Sequence, residues 1–281
     1  MPIHILTLSC PDRPGIVASI AQGLLDLDAN IVDNAQHGDA ESGVFCMRTR
    51  FEAPHGRSAD IVDALRARAE ALGATLAVRR EDEPPTVLVM VSKHDHCLID
   101  LLQRWRAGEM PVRIGAIVSN HPDLEPLAVA AGVPFEHVPV TRETKPAAEH
   151  RLRQIVRDYG AELVILARYM QILSDDLTRE LDGRIINIHH SFLPGFKGAR
   201  PYHQAWDRGV KLIGATAHFV TGDLDEGPII EQDVARVHHA VTADEMVVLG
   251  KDVERVVLSR GVKAWAEGRV FLVGQRTVVF P

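Results

Sequence analysis

The chain has 281 residues, 46% of them hydrophobic and 25% charged, with a formal net charge of −7. That length holds one large domain or two modest ones with ample apolar material for a core, and the acidic balance argues against a nucleic-acid partner, which selects a basic face. No apolar run of about 18 residues and no basic, apolar leader occurs, which argues against a membrane span or a secretory signal.

Residues 3–9 read as a β-strand. Cys10-Pro11-Asp12-Arg13-Pro14-Gly15 is a turn, with Pro and Gly setting the backbone. Residues 16–27 carry apolar side chains at helical spacing, and Pro14 suits the entry to that helix. Residues 29–36 and 43–51 read as strands around a Gly/Asp-rich turn. Residues 58–72 form an amphipathic helix between Ser58 as N-cap and Gly73 as C-cap. Residues 74–79 are a last strand. The order βαββαβ is a ferredoxin-like split unit. The run Asp12 to Val17 at the first β–α turn and Ala29-Asn30-Ile31 at the second strand resemble the ACT family. That resemblance implies a homo-oligomer paired through sheet edges, either with a small amino-acid effector or as an assembly module alone. The motif is not a phosphate loop, because GxxxxGK[ST] and GxGxxG are both absent.

The charged, Pro-ended stretch at 79–85 reads as a linker, so domains are expected at 1–83 and 84–281. The pattern then changes. Continuous apolar strands at 86–92, 112–119, 135–140, 163–167 and 185–188 alternate with helices at 97–106, 122–131, 144–159 and 174–181. This predicts a doubly wound, mostly parallel, Rossmann-like α/β sheet covered on both faces. Residues 212–220 and 229–237 lack an intervening helix and read as an antiparallel extension. A long helix follows at 242–260, then short strands at 270–272 and 277–279.

The chemistry gathers between residues 185 and 230. On a strand, i and i+2 share a face, so Asn187 and His189 point together while Ile188 points away. Such a pair at the carboxyl end of a buried strand sits where an open α/β sheet places ligands. The strand at 212–220 empties into Thr221-Gly222-Asp223-Leu224-Asp225-Glu226-Gly227-Pro228, bringing Asp225 toward the same place. Alone, each of these is an ordinary structural hydrogen-bonder. The chain contains 14 histidines, yet no HExxH occurs, and the adjacent pairs His189-His190 and His238-His239 cannot both face one ion on a strand, so no metal is expected. No GxSxG elbow is present, so a serine hydrolase is not expected. Cys10, Cys46 and Cys97 are widely spaced without a CxxC, as suits small buried groups in a reducing cytoplasm.

Asn187-Ile188-His189, the following Ser191-Phe192-Leu193-Pro194 and Asp225-x-Gly227-Pro228 together resemble the folate-dependent formyltransferase family. The doubled His189-His190, the run 196–202 and Asp225-Glu226-Gly227-Pro228 resemble its hydrolytic, deformylase branch most closely. The resemblance implies that Asn187, His189 and Asp225 are catalytic. Formyl removal passes through a tetrahedral oxyanion, which needs a hydrogen-bond donor and a group that moves protons. Which of His189 and Asp225 is the base is left open, as are the roles of His190, His203 and His218. The resemblance also implies that Tyr169, Met170, Gln171, Ile172 and Leu173, with Thr221, Gly222, Asp223 and Leu224, hold the pterin of 10-formyltetrahydrofolate, a substrate rather than a prosthetic group. Gly222 and Asp223 depart from the acidic pair often found there.

After the strand at 86–92 comes Ser92-Lys93-His94-Asp95-His96-Cys97, without glycine. A ribonucleotide acceptor would need backbone N–H groups there to approach its phosphate. Water is then the expected acceptor, giving formate and tetrahydrofolate; the resemblance further implies that the formate supplies purine biosynthesis. A glycinamide ribonucleotide formyltransferase and a non-catalytic folate or amino-acid sensor are the rival readings.

Overall fold

A computed structural model of the chain describes residues 1–54, 58–193, 195 and 201–281. The motif residues Pro194 and 196–200 lie outside the described residues. The chain divides into two compact units, Met1–Pro84 with Glu267–Pro281, and Pro85–Ala266.

The first unit runs β1 (Ile3–Pro11), α1 (Ile16–Leu25), β2 (Asn30–Asp39), β3 (Val44–Glu52), α2 (Ser58–Leu72) and β4 (Thr75–Arg80). Its four-stranded sheet has the order β2-β3-β1-β4 with antiparallel pairing throughout. Gly15 takes φ 93°, a left-handed conformation that glycine adopts freely, and so turns β1 into α1. The helices bury i, i+4 stripes, Ile16, Ile20 and Leu24 from α1 and Ile61, Leu65 and Ala69 from α2. All of these but Ala69 meet Leu6 and Leu8 of β1 and Met47 and Phe51 of β3 in one core.

The far C-terminus departs from the expected boundary. Residues 267–281 belong with the first unit, not with Pro85–Ala266. Here β12 (Val270–Val273) and β13 (Arg276–Val279) form a hairpin. Its Phe271, Val273 and Phe280 pack on Cys46, Ala35 and Val44, on the sheet face that the helices leave open. The Phe271 and Phe280 rings meet edge to face at 5.4 Å, and burying each such side chain stabilises by roughly 1.5–3 kcal/mol. Arg276 also pairs with Asp39 at 2.9 Å. Alternation along β3 buries both of its faces; the second face is served by a segment more than 200 residues away in sequence, a pairing that local pattern does not encode.

The second unit follows the alternation read from the sequence. Its strands are β5 (Thr86–Val91), β6 (Arg113–Ser119), β7 (Phe135–His137), β8 (Leu163–Leu166), β9 (Ile185–His189), β10 (Leu212–Phe219) and β11 (Ile229–Arg236). The helices are α3 (His96–Arg106), α4 (Glu125–Ala131), α5 (Lys145–Asp158), α6 (Asp175–Glu180), α7 (Pro201–Asp207) and α8 (Ala243–Ala266). The seven-stranded sheet has the order β11-β10-β9-β8-β5-β6-β7, parallel from β9 to β7 and antiparallel at β10 and β11. Every residue of β5 and β8 is buried, as a sheet covered on both faces demands. The chain builds outward from β5 to β7, then returns to β8 on the other side of β5. The strand order therefore reverses between β5 and β8, the place where open α/β sheets bind ligands. Among the described residues no helix is long and apolar enough to cross a membrane.

Candidate active site

The carboxyl ends of β8 and β9, with the loop after β10, enclose a cavity of about 600 Å³. Asn187, His189 and Asp225 all line it. So does every residue expected to hold the pterin: Tyr169, Met170, Gln171, Ile172 and Leu173 on one side, Thr221, Gly222, Asp223 and Leu224 on the other. Met170, Ile172 and Leu224 keep 53%, 63% and 58% of their surface exposed, so apolar side chains rim an open mouth. The Met170 N–H is already used, donating to Ser92 Oγ at 2.9 Å, and Ser92 in turn donates to Asn120 Oδ1 at 2.7 Å. These bonds pin the glycine-free segment after β5 to the loop after β8.

Asp225 does not arrive as a simple strand end. Because β10 is antiparallel to β9, His218 stands opposite Asn187 and Phe219 opposite Ile186, so β10 runs away from the His189 end. The loop folds back across the sheet, and Asp225 takes φ 57°, a left-handed conformation unusual outside glycine. This places Asp225 Oδ1 3.2 Å from His189 Nδ1. A carboxylate accepts only, so Nδ1 carries the proton. The other ring nitrogen, Nε2, is buried with no partner among the described residues. Burial would raise the Asp225 pKa, but the hydrogen bond and the charge of His189 outweigh it and hold the carboxyl below its ordinary value. The result is an ionised carboxylate orienting an imidazole that lines the cavity and whose Nε2 is buried without a partner among the described residues.

Strict alternation predicts that His190 faces away from His189. The strand ends at His189, however, so the alternation lapses. The His190 ring lies 5.2 Å from that of His189 and lines the same cavity. Burial, with the Arg168 charge adding to it, lowers its pKa to about 3, so it is neutral at pH 7. His203 and His218 also line the cavity.

The opposite wall escaped the sequence reading. Glu254, 1% exposed, accepts from His96 Nε2 at 2.8 Å and from the Tyr202 hydroxyl at 2.7 Å. Arg168 Nε lies 3.4 Å from Glu254 Oε2, an ion-pair contact rather than a hydrogen bond. Arg168 too is held at positive φ, 64°. A signal exists: Glu254 falls in the buried stripe Met246, Gly250, Glu254, Val257 and Leu258 of α8, where an unpaired carboxylate would be intolerable. Gly250 is required there, because a Cβ would lie 2.1 Å from Tyr202 Cζ. His96, Cys97 and Glu254 also bring potential metal-ligand atoms within 4.8 Å of one another. The donor chemistry does not fit a cation. The carboxylate already accepts two hydrogen bonds and neighbours the Arg168 cation, and burial holds the Cys97 thiol well above its ordinary pKa.

Residues 86–262 match the family described as Formyl transferase. The chain is 48% identical to the formyltetrahydrofolate deformylase of Corynebacterium sp. (strain P-1), over 98% of this chain and 97% of that protein. The crystal structure of formyltetrahydrofolate deformylase from Burkholderia mallei matches with a TM-score of 0.96 at 50% identity and covers 100% of both chains. The structure of glycinamide ribonucleotide transformylase 1 from Symbiobacterium toebii matches with a TM-score of 0.66 at 32% identity and covers only 70% of this chain. With its full length matched by the former and only part of it by the latter, the chain belongs to the formyltetrahydrofolate deformylases, within the formyl transferase family.

Proposed function

We propose that this protein hydrolyses 10-formyltetrahydrofolate to formate and tetrahydrofolate, with Asn187, His189 and Asp225 as its catalytic residues. The observation that carries the assignment of roles is the His189–Asp225 pair lining the cavity, with His189 Nε2 left without a partner among the described residues. His189 Nε2 takes a proton from water as the water oxygen bonds to the formyl carbon. The Asn187 amide N–H donates to the oxyanion that develops on the formyl oxygen. Asp225 keeps the imidazole in the Nδ1–H tautomer and stabilises the imidazolium as it forms. The C–N bond then breaks, the proton passes from Nε2 to the departing folate nitrogen, and formate leaves. The segments 169–173 and 221–224 hold the pterin between them, and no prosthetic group is invoked.

The N-terminal unit is read as an ACT-type module that assembles a homo-oligomer, either with a small amino-acid effector or as an assembly module alone. Its edge strand β2 exposes Ile31 by 39% and Val32 by 49%, which supports edge pairing. Work in the cytoplasm and supply of formate to purine synthesis belong to the same proposal, the free thiols of Cys10, Cys46 and Cys97 suiting a reducing compartment.

Product analysis with purified protein and 10-formyltetrahydrofolate, with and without glycinamide ribonucleotide, tests the reaction. Formate and tetrahydrofolate in equal amounts without the ribonucleotide are expected. Turnover only in its presence would make the protein a transferase, and folate binding without turnover in either tube would make it a sensor.

A further inference from the structure

His218 is 2% exposed and stands directly across the antiparallel β9–β10 pair from Asn187. We propose that His218 is a positioning residue that fixes which end of the Asn187 amide faces the formyl oxygen, and that Gly227 is required so that the backbone can hold His218 in that role. This rests on the deformylase reading above.

The argument is one of donors and acceptors. His218 Nδ1 lies 2.8 Å from the Phe219 carbonyl oxygen. A carbonyl oxygen can only accept, so Nδ1 carries the hydrogen. Burial disfavours the charged ring, and a neutral imidazole has a single N–H, so Nε2 is an acceptor. The atom facing Nε2, at 3.2 Å, is Nδ2 of Asn187. With Oδ1 turned to that side, two lone pairs would oppose each other and the bond would be lost. The Asn187 amide is therefore held with its NH₂ group toward His218, and the second N–H of the same nitrogen remains for the substrate. Asp225 does not compete for this nitrogen, because its Oδ1 is 4.0 Å from His218 Nε2 but 3.2 Å from His189 Nδ1.

The lock depends on the Phe219 carbonyl, and that carbonyl lies against Gly227. A Cβ on residue 227 would fall 1.7 Å from the Phe219 oxygen and 3.3 Å from His218 Nδ1. The pairing of β10 with β11 shifts register between Ala217 and His218, and the Phe219 N–H donates to the Pro228 carbonyl at 2.9 Å. The Gly-Pro that follows Asp225 thus serves backbone approach: it lets the chain cross the Phe219 carbonyl on its return toward His189. Asp225 and Asn187 are set by one loop, the first directly and the second through His218.

The direct test is ¹⁵N NMR of the full-length protein labelled in its histidine rings. A protonated Nδ1 and bare Nε2 at His218 are expected; the Nε2–H tautomer would overturn the proposal without recourse to any variant. The functional test is a double-mutant cycle on kcat with 10-formyltetrahydrofolate. His218→Leu is expected to lower kcat by about tenfold to a hundredfold and to leave KM within about threefold. His218→Gln, whose side-chain oxygen can accept from Asn187, should recover most of the loss. Asn187→Ala with His218→Leu should be no slower than Asn187→Ala alone, because the second change acts through the first. Losses that multiply in the double variant would show His218 acting independently of Asn187. A wild-type protein that releases no formate would sink the deformylase reading instead, while the tautomer would still be read from the spectrum.

Discussion

Two histidine–carboxylate pairs face one cavity, and they differ in how completely the carboxylate is satisfied. His189 with Asp225 at 3.2 Å is one; His96 with Glu254 at 2.8 Å is the other. Glu254 sits on a long helix and is shared among His96, Tyr202 and the Arg168 cation, so its charge is compensated before any ligand arrives. Asp225 sits on a folded-back loop with histidines as its neighbours, and among the described residues no arginine or hydroxyl shares its carboxylate. Residue type therefore does not decide which pair does chemistry. What differs between the pairs is whether the carboxylate's charge is already compensated by a cation and a hydroxyl.

Breaking each pair should accordingly damage different quantities. Asp225→Asn presents an amide N–H to His189 and favours the wrong tautomer, so kcat should fall about 10³- to 10⁴-fold. Folate affinity, measured by equilibrium binding, should stay within roughly tenfold; loss of binding with an intact fold would move Asp225 from chemistry to recognition. Glu254→Gln should do the reverse. It leaves the Arg168 charge buried without its counter-ion, a loss of about 3–5 kcal/mol of stability. Denaturant unfolding should show that loss, while kcat per folded molecule changes by less than about tenfold. A collapse of kcat with unchanged stability would make the two walls equals. Tyr202→Phe probes the same wall more gently, removing one hydrogen bond to a charged group for about 1.5–3 kcal/mol.

The sequence carries the first pair more legibly than the second. Asn187 and His189 are readable because a period of two is fixed by strand geometry, and Asp225 because its motif resembles a known one. The return path of the Asp225 loop is not readable: the missing helix between 212–220 and 229–237 marks an antiparallel extension, but not how the loop folds back toward His189. Glu254 is hidden for a similar reason: its partners come from three separate segments, around His96, Arg168 and Tyr202, and a single carboxylate in a helix stripe does not name them. The same holds for the hairpin at 270–279, whose apolar residues read as strands yet give no address for the sheet they cover. Local periodicity thus exposes elements and the faces they bury, whereas sites built by long-range closure show only as polar residues in places that should be apolar.

His190 offers the smallest and sharpest test, because it lies beside the first pair and feels the cation of the second. Its pKa is lowered to about 3, chiefly by burial and next by the Arg168 charge. A histidine in the unfolded chain titrates near pH 6.5. Between those two values the unfolded chain binds a proton that the folded chain refuses, so folding stability rises with pH across that window and is fully present above it. The slope from one such group is at most about 1.4 kcal/mol per pH unit. His218, also lowered by burial, adds to the slope in the same direction. Replacing His190 with Gln should flatten the stability profile between pH 4 and 6, as measured by urea unfolding at a series of pH values, with little change at pH 8. An unaltered slope would mean that His190 takes up its proton in the folded state, and that the Arg168 side of the cavity admits more water than its burial implies.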